Sequence, residues 1–193
     1  LVDLHGRFLM PGLVDGHMHP LQAGAQLLKC GLDYASLTVA ELQARVQKCL
    51  DESAAKEPDA WLEVVSWFQE SMRPAGVTTS RATLDVLKTK RPIIIRSSFG
   101  HTVLANTRAL ELANLSADTT DPIGGKIWRD ASGNPTGLLE DAAFDVFDSL
   151  LPQPTPADNM AAAHAALDAM RRQGVTTFLD AIAPEDDIAA FAA

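Results

Sequence analysis

Arg7-Phe8-Leu9-Met10-Pro11-Gly12-Leu13-Val14-Asp15-Gly16-His17-Met18-His19-Pro20 is the stretch on which the reading of this chain turns. Phe8 to Met10 is a short apolar run, stopped by the turn signal Pro11-Gly12. Leu13 to His19 then reads as a buried strand with a polar tip. Alternate side chains of a strand share a face, so His17 and His19 point one way and Met18 the other. Their Cα atoms would lie about 6.5–7 Å apart. That spacing suits two imidazoles converging on one divalent metal. Pro20 cannot continue a ladder, so the strand ends where the ligands sit. The alternative is two hydrogen-bonded strand-end histidines without a metal.

The bulk composition narrows the class. The 193 residues are 47% hydrophobic and 21% charged, ordinary values for a globular chain. A net charge of -9 and a pI near 4.9 argue against nucleic acid or an anionic membrane as partner, since both call for a basic face. No apolar run approaches the ~20 residues of a membrane span, and no signal-peptide pattern is visible. Cys30 and Cys49 stand far apart, in no metal or redox spacing, which fits a reduced, cytoplasmic compartment. The chain starts at Leu1 within a strand-like stretch and stops at Ala193 within an apolar-rich, helix-like one. It is expected to be a fragment of a larger protein.

Outward from the histidine pair, the elements follow from local pattern. Leu1 to Leu9 alternates loosely through the turn-like pair His5-Gly6, and His5 reads as a turn or strand residue. A short helix is expected around Ala23 to Cys30. Thr38 and Glu41 form a capping box for a helix with Val39, Leu42, Val46, Cys49 and Leu50 at helical spacing. Lys56 falls near its end and Pro58 terminates it. Trp61 to Phe68 reads as a strand, with Trp61 in the core and Trp67 either in the core or walling a pocket. Ser80 caps a short helix through Leu87. Ile93-Ile94-Ile95 suits a strand covered on both faces. Thr102 to Ala113 reads as a helix, in which Asn106 has a positioning role. Gly124 to Asp130 and Thr136 to Glu140 flank a Gly-Asn turn and form a hairpin. Asp141 to Leu151 is amphipathic. Pro152-Gln153-Pro154-Thr155-Pro156 is a stiff linker. Thr155, Pro156 and Asp158 open a further helix, with Met160, Ala163, Leu167 and Met170 as its stripe and His164 packed or exposed among alanines. Gly174 stops it. Val175 to Asp180 is a strand of parallel-sheet type, and the helix joining strand to strand makes a right-handed crossover.

Gly6 to His19 resembles the first barrel strand of the amidohydrolase superfamily, and Gly174-Val175-Thr176-Thr177 ending in Asp180 resembles the second. Two further patterns are similar to the branch that includes N-substituted formamide deformylase. One is Gly100-His101, Asn106 and Ala109-Leu110. The other is Gly124-Gly125-Lys126-Ile127, Asp130, Gly133-Asn134-Pro135-Thr136-Gly137-Leu138-Leu139 and Glu140. The resemblance implies an α/β fold: the start of a metal-dependent (β/α)8 barrel with an α+β insertion after the first strand. Residues 1–20 would be the exit from a β-sandwich and the first barrel strand. Residues 21–153 would be the insertion, and 154–193 the first barrel helix, the second strand and the start of the next helix. Such a barrel needs ~250 residues.

The implied reaction is metal-dependent hydrolysis of a non-peptide, amide-type C–N bond in a small molecule. His17 and His19 would hold the divalent metal, zinc by default, with iron or manganese as alternatives. By the same resemblance His101 binds substrate or stabilises charge; otherwise it caps a strand-to-helix turn. Glu140 is a metal ligand or an acid–base group; otherwise it is the first-turn glutamate of the next helix. Asp180 sits at the carboxyl end of its strand, where it would support the metal histidines; otherwise it is a helix N-cap. The family's later ligands, histidines and an aspartate, lie beyond Ala193. The fragment is therefore expected to bind metal weakly and turn over little. The competing expectation is a non-catalytic α/β module, or a degenerate relative used for binding. Open strand edges predict self-association.

Overall fold

The computed structural model describes residues 3–53 and 60–192. In chain order the elements are β1 (Leu13–Met18), α1 (Pro20–Leu27), β2 (Cys30–Gly31), α2 (Val39–Glu52), β3 (Leu62–Trp67), α3 (Arg81–Asp85), β4 (Ile93–Ser97), β5 (Thr102–Ala105), α4 (Thr107–Leu112), β6 (Gly125–Arg129), β7 (Pro135–Asp141), α5 (Pro156–Arg172), β8 (Val175–Asp180) and α6 (Glu185–Ala192). The fold is mixed α/β and divides into two compact units. One gathers the residues up to Leu28 with those from Pro154 onward; the other is Lys29–Gln153.

The discontinuous unit is built on β1 and β8, which pair in parallel although some 160 residues separate them. α1 packs on α5 through Leu21, Ala162 and Ala163. The approach is close: a Cβ added to Gly24 would stand 2.0 Å from the Ala162 carbonyl oxygen. That contact explains a difference from the sequence reading. The buried stripe of α5 is Ala162, Ala163, Ala166 and Met170, whereas Met160 and Leu167 are exposed. Small side chains face the neighbouring helix because no room remains for large ones. The start of α5 is as expected. Asp158 N–H donates to Thr155 Oγ1 at 3.3 Å, and Thr155 N–H donates to Asp158 Oδ2 at 2.8 Å. β1, expected buried, is mostly exposed, with Val14 at 70%. Residues 3–12 hold neither strand nor helix, only the turn closed by Arg7 N–H on Leu4 O.

The continuous unit is one six-stranded sheet in the order β2-β3-β4-β5-β7-β6. β2, β3 and β4 run parallel, and the later neighbours pair antiparallel. Ile93 and Ile95 face one apolar cluster with Leu42, Val46, Leu50, Val64 and Trp67. Ile94 faces another with Val103, Ala109, Ile127, Leu139 and Phe147. β4 is thus covered on both sides, as three consecutive β-branched residues demand. The Thr38–Glu41 capping box forms. The expected end of α2 near Lys56 and Pro58 lies outside the described residues.

Several expectations are corrected in this unit. Thr102 to Ala113 is not one helix: Thr102–Ala105 is drawn into the sheet between β4 and β7, and Asn106 then caps α4 by accepting from Ala109 N–H at 2.9 Å. Asn106 also accepts from Ile93 N–H and donates to the Arg91 carbonyl, at 3.0 Å each, so it ties the strand start to the helix start. Asp141 to Leu151 forms only a short 3-10 turn, Asp145–Phe147, because β7 runs on through Asp141. Of the two readings of Trp67 the structure gives the core: it is fully buried and donates Nε1–H to Met72 Sδ at 3.3 Å. Cys30 and Cys49 form a disulfide. Packing of α2 beside β2 brings them together across 19 positions, so the cysteines no longer speak for a reduced compartment. Among the described residues, no helix is long and apolar enough to cross a membrane.

Candidate metal centre and sheet-edge residues

His17 and His19 stand at the carboxyl end of β1. His17 is in the strand, and His19 is the residue before Pro20 opens α1. Strand alternation puts both rings on one side, with centroids 5.5 Å apart and planes crossed at 77°. Asp15 accepts from His17 N–H at 3.0 Å and stiffens the approach. Parallel pairing sets Met18 against Asp180, so the carboxyl end of β8 lies beside the pair. Asp180 Oδ1 is 3.6 Å from His19 Nδ1. That is too long for a hydrogen bond, and His19 Nδ1 is buried without a hydrogen-bond partner. Asp180 Oδ1 meanwhile accepts from Ile182 N–H at 3.1 Å. It braces the turn after β8, but α6 begins only at Glu185, so Asp180 is not that helix's N-cap. A cavity of about 320 Å³ opens beside Asp180, lined by Phe178, Ile188 and Phe191 among others.

The histidine pair and Asp180 therefore come together, as strand-end positions of parallel neighbours. Among the described residues, no group of three or more His, Cys, Asp or Glu side chains is placed to hold a metal ion. The donor chemistry fits one side of a divalent site: two neutral imidazoles, with a carboxylate behind one of them.

His101 and Glu140 belong to the other unit. His101 lies in the β4–β5 turn, and Glu140 pairs with Thr102 in β7. Glu140 is thus a strand residue and not the first-turn glutamate of a helix. His101 caps no strand-to-helix turn, since β5 follows it. Its Nδ1 lies 2.9 Å from Asp141 Oδ1. Asp141 carries no local signal in the sequence beyond its position one residue past Glu140; it meets His101 only through the pairing of β5 with β7. His5 pairs with Asp3 in an exposed turn, and His164 is exposed on α5. A further ionic group is structural. Glu63 takes Lys29 Nζ on one oxygen and Arg96 Nε at 2.6 Å on the other, and Arg96 reaches Asp148 at 2.9 Å. Burial pushes the Glu63 carboxyl up, but the hydrogen bonds and charges of Lys29 and Arg96 outweigh it and hold the group below the usual carboxylate range.

A model of the amidohydrolase family matches residues 1–193. Protein LONG AFTER FAR-RED 3 of Arabidopsis thaliana is 30% identical over 179 residues, which are 93% of this chain and 30% of that protein. N-substituted formamide deformylase of Arthrobacter pascens is 28% identical over 149 residues, 77% of this chain and 27% of that protein. An uncharacterized metal-dependent hydrolase from Pyrococcus horikoshii has a similar solved structure, with a TM-score of 0.60 over 95% of this chain and 33% of that one at 21% identity. That likeness is one of fold. The chain spans less than a third of the length of these relatives.

Proposed function

Because the chain belongs to the amidohydrolase family, we propose that it carries the first metal-binding strand of a hydrolase acting on an amide-type C–N bond of a small molecule. The fold would be the opening of a (β/α)8 barrel, with β1 and β8 as adjacent barrel strands. Barrel active sites lie at the carboxyl ends of the strands, and that is where His17, His19 and Asp180 stand. The observation that carries the reading is the buried, unpartnered His19 Nδ1, 3.6 Å from Asp180 Oδ1. A proton on Nδ1 directed at Asp180 leaves Nε2 free as a donor atom. His17 offers the second imidazole from the same face. A divalent metal held there, zinc by default and iron or manganese otherwise, would lower the pKa of water toward ~7 and polarise the substrate carbonyl. Asp180 is the carboxylate that would orient His19 once that 3.6 Å gap shortens to a hydrogen bond. Phe178 and Phe191 offer an apolar wall beside Asp180 for the non-reacting part of the substrate. Glu140 and His101 belong to the other unit and are not used in this reading.

Elemental analysis of the purified protein and of His17→Ala/His19→Ala, in the longest form that can be expressed, tests this. Stoichiometric metal in the first and its loss in the second are the expected results. The 193-residue chain alone is expected to hold metal more weakly than a form with further strands. Absence of metal from the longest form would sink the catalytic reading. Retained histidines with no metal in the longest form would select the alternative, a binding module that keeps the fold without the chemistry.

A further inference from the structure

One edge of the six-stranded sheet collects features that the metal reading leaves unused. β2, β3 and β4 are parallel and end at this edge. β5 starts there and β7 ends there, because Thr102 pairs with Glu140. Six described non-glycine residues have a positive φ, and four of them lie along this edge: Asp33 at 57° and Tyr34 at 54° after β2, Ser66 at 59° in β3, and Asp141 at 49° closing β7. Such conformations persist only where the surroundings over-determine them, and they gather at functional sites. Ligands of open α/β sheets bind beyond the carboxyl ends of the parallel strands. Phe68 and Phe99 meet edge-on here, 5.6 Å between centroids, with Phe99 largely exposed.

Asp141 and His101 are locked twice. Asp141 N–H donates to the His101 carbonyl at 3.1 Å, and the two side chains meet at 2.9 Å. An ionised carboxylate only accepts, so the shared proton comes from His101 Nδ1. In a neutral imidazole that places the lone pair on Nε2. The His101 side chain is 78% exposed, and its Nε2 has no protein partner among the described residues. In the neutral imidazole the acceptor is therefore oriented and open to the outside, two residues from an exposed aromatic ring.

We propose that Asp141 is a positioning residue that holds His101 as a proton acceptor for a neutral small molecule bound at this sheet edge, one that presents an N–H or O–H group to Nε2 and an apolar part to Phe99. The proposal concerns this unit alone and does not rest on the hydrolase reading, so its test and the metal test fail independently.

The measurement is 15N NMR of histidine-labelled protein above the imidazole titration, with benzamide as the probe. Wild type should show His101 with its proton on Nδ1 and a bare Nε2, and benzamide should move the Nε2 resonance saturably. Asp141→Asn keeps a residue that tolerates positive φ but no longer accepts exclusively. The Nε2–H tautomer should become the majority in it and the benzamide response should disappear, with the backbone amide spectrum otherwise unchanged. His101→Gln identifies the resonance. A majority of Nε2–H in wild type, or a benzamide response that is absent there or equal in Asp141→Asn, overturns the proposal. If Asp141→Asn does not fold, the wild-type tautomer and titration decide it alone.

Discussion

Glu63 illustrates how a single residue of this chain resists prediction from its neighbours in sequence. It sits in a β-branched strand pattern, yet its carboxylate is clamped between Lys29 and Arg96, 34 and 33 positions away. Its folded-state pKa lies below the ordinary value of 4.5, so the stability it contributes is fully present at neutral pH and is lost as pH falls below that value. Glu63→Gln should lower stability at pH 7 by about 2 kcal/mol, since two charged partners lose their acceptor. It should also flatten the acid limb of a stability–pH curve. Denaturant titrations at pH 7 and pH 3 check both, and a difference between the two proteins that is the same at both pH values would rule out the linkage. His17 and His19 were legible because strand periodicity alone places them on one face. Asp180 was legible as a strand end, but its approach to His19 follows from the β1–β8 register, which no local pattern encodes.

At the scale of elements, helix starts were the most readable features. Thr38–Glu41 and Thr155–Asp158 are short-range hydrogen-bond devices, and each forms as its residue types dictate. Elements chosen by long-range pairing were not readable. Thr102–Ala105 has enough apolar spacing for a helix, but the backbone bonds offered by β4 and β7 on either side win. The α1–α5 contact depends on Gly24 lacking a side chain. Gly24→Ala adds helix propensity and would stabilise an isolated helix, yet here the Ala162 carbonyl must move. We expect a net loss of about 1–3 kcal/mol, read as a lower thermal midpoint. An unchanged or raised midpoint would mean that the two helices slide apart freely.

At the scale of the whole molecule, the division into a discontinuous and a continuous unit follows from where the long excursion leaves and rejoins the chain, after Leu28 and before Pro154. The β1–β8 sheet has two strands, so among the described residues each keeps an unpaired edge, and apolar residues such as Leu13, Val14 and Leu179 are exposed on it. Unpaired edges template further pairing. The isolated chain is therefore expected to self-associate with rising concentration, measured by sedimentation velocity; a species that stays monomeric up to high concentration would show these edges to be protected.

The sequence by itself determined the strand-end histidine pair, the turn of the β6–β7 hairpin and the helix caps, because each is written in residues at most a few positions apart, and it carried the family in several short motifs spread along the chain. Only the tertiary structure decided the Cys30–Cys49 bridge, the strand at Thr102–Ala105, the burial of Trp67, the small-residue face of α5 and the His101–Asp141 pair. Each of these joins segments that meet through packing and sheet register, and the free energy that selects them comes from contacts between distant parts of the chain.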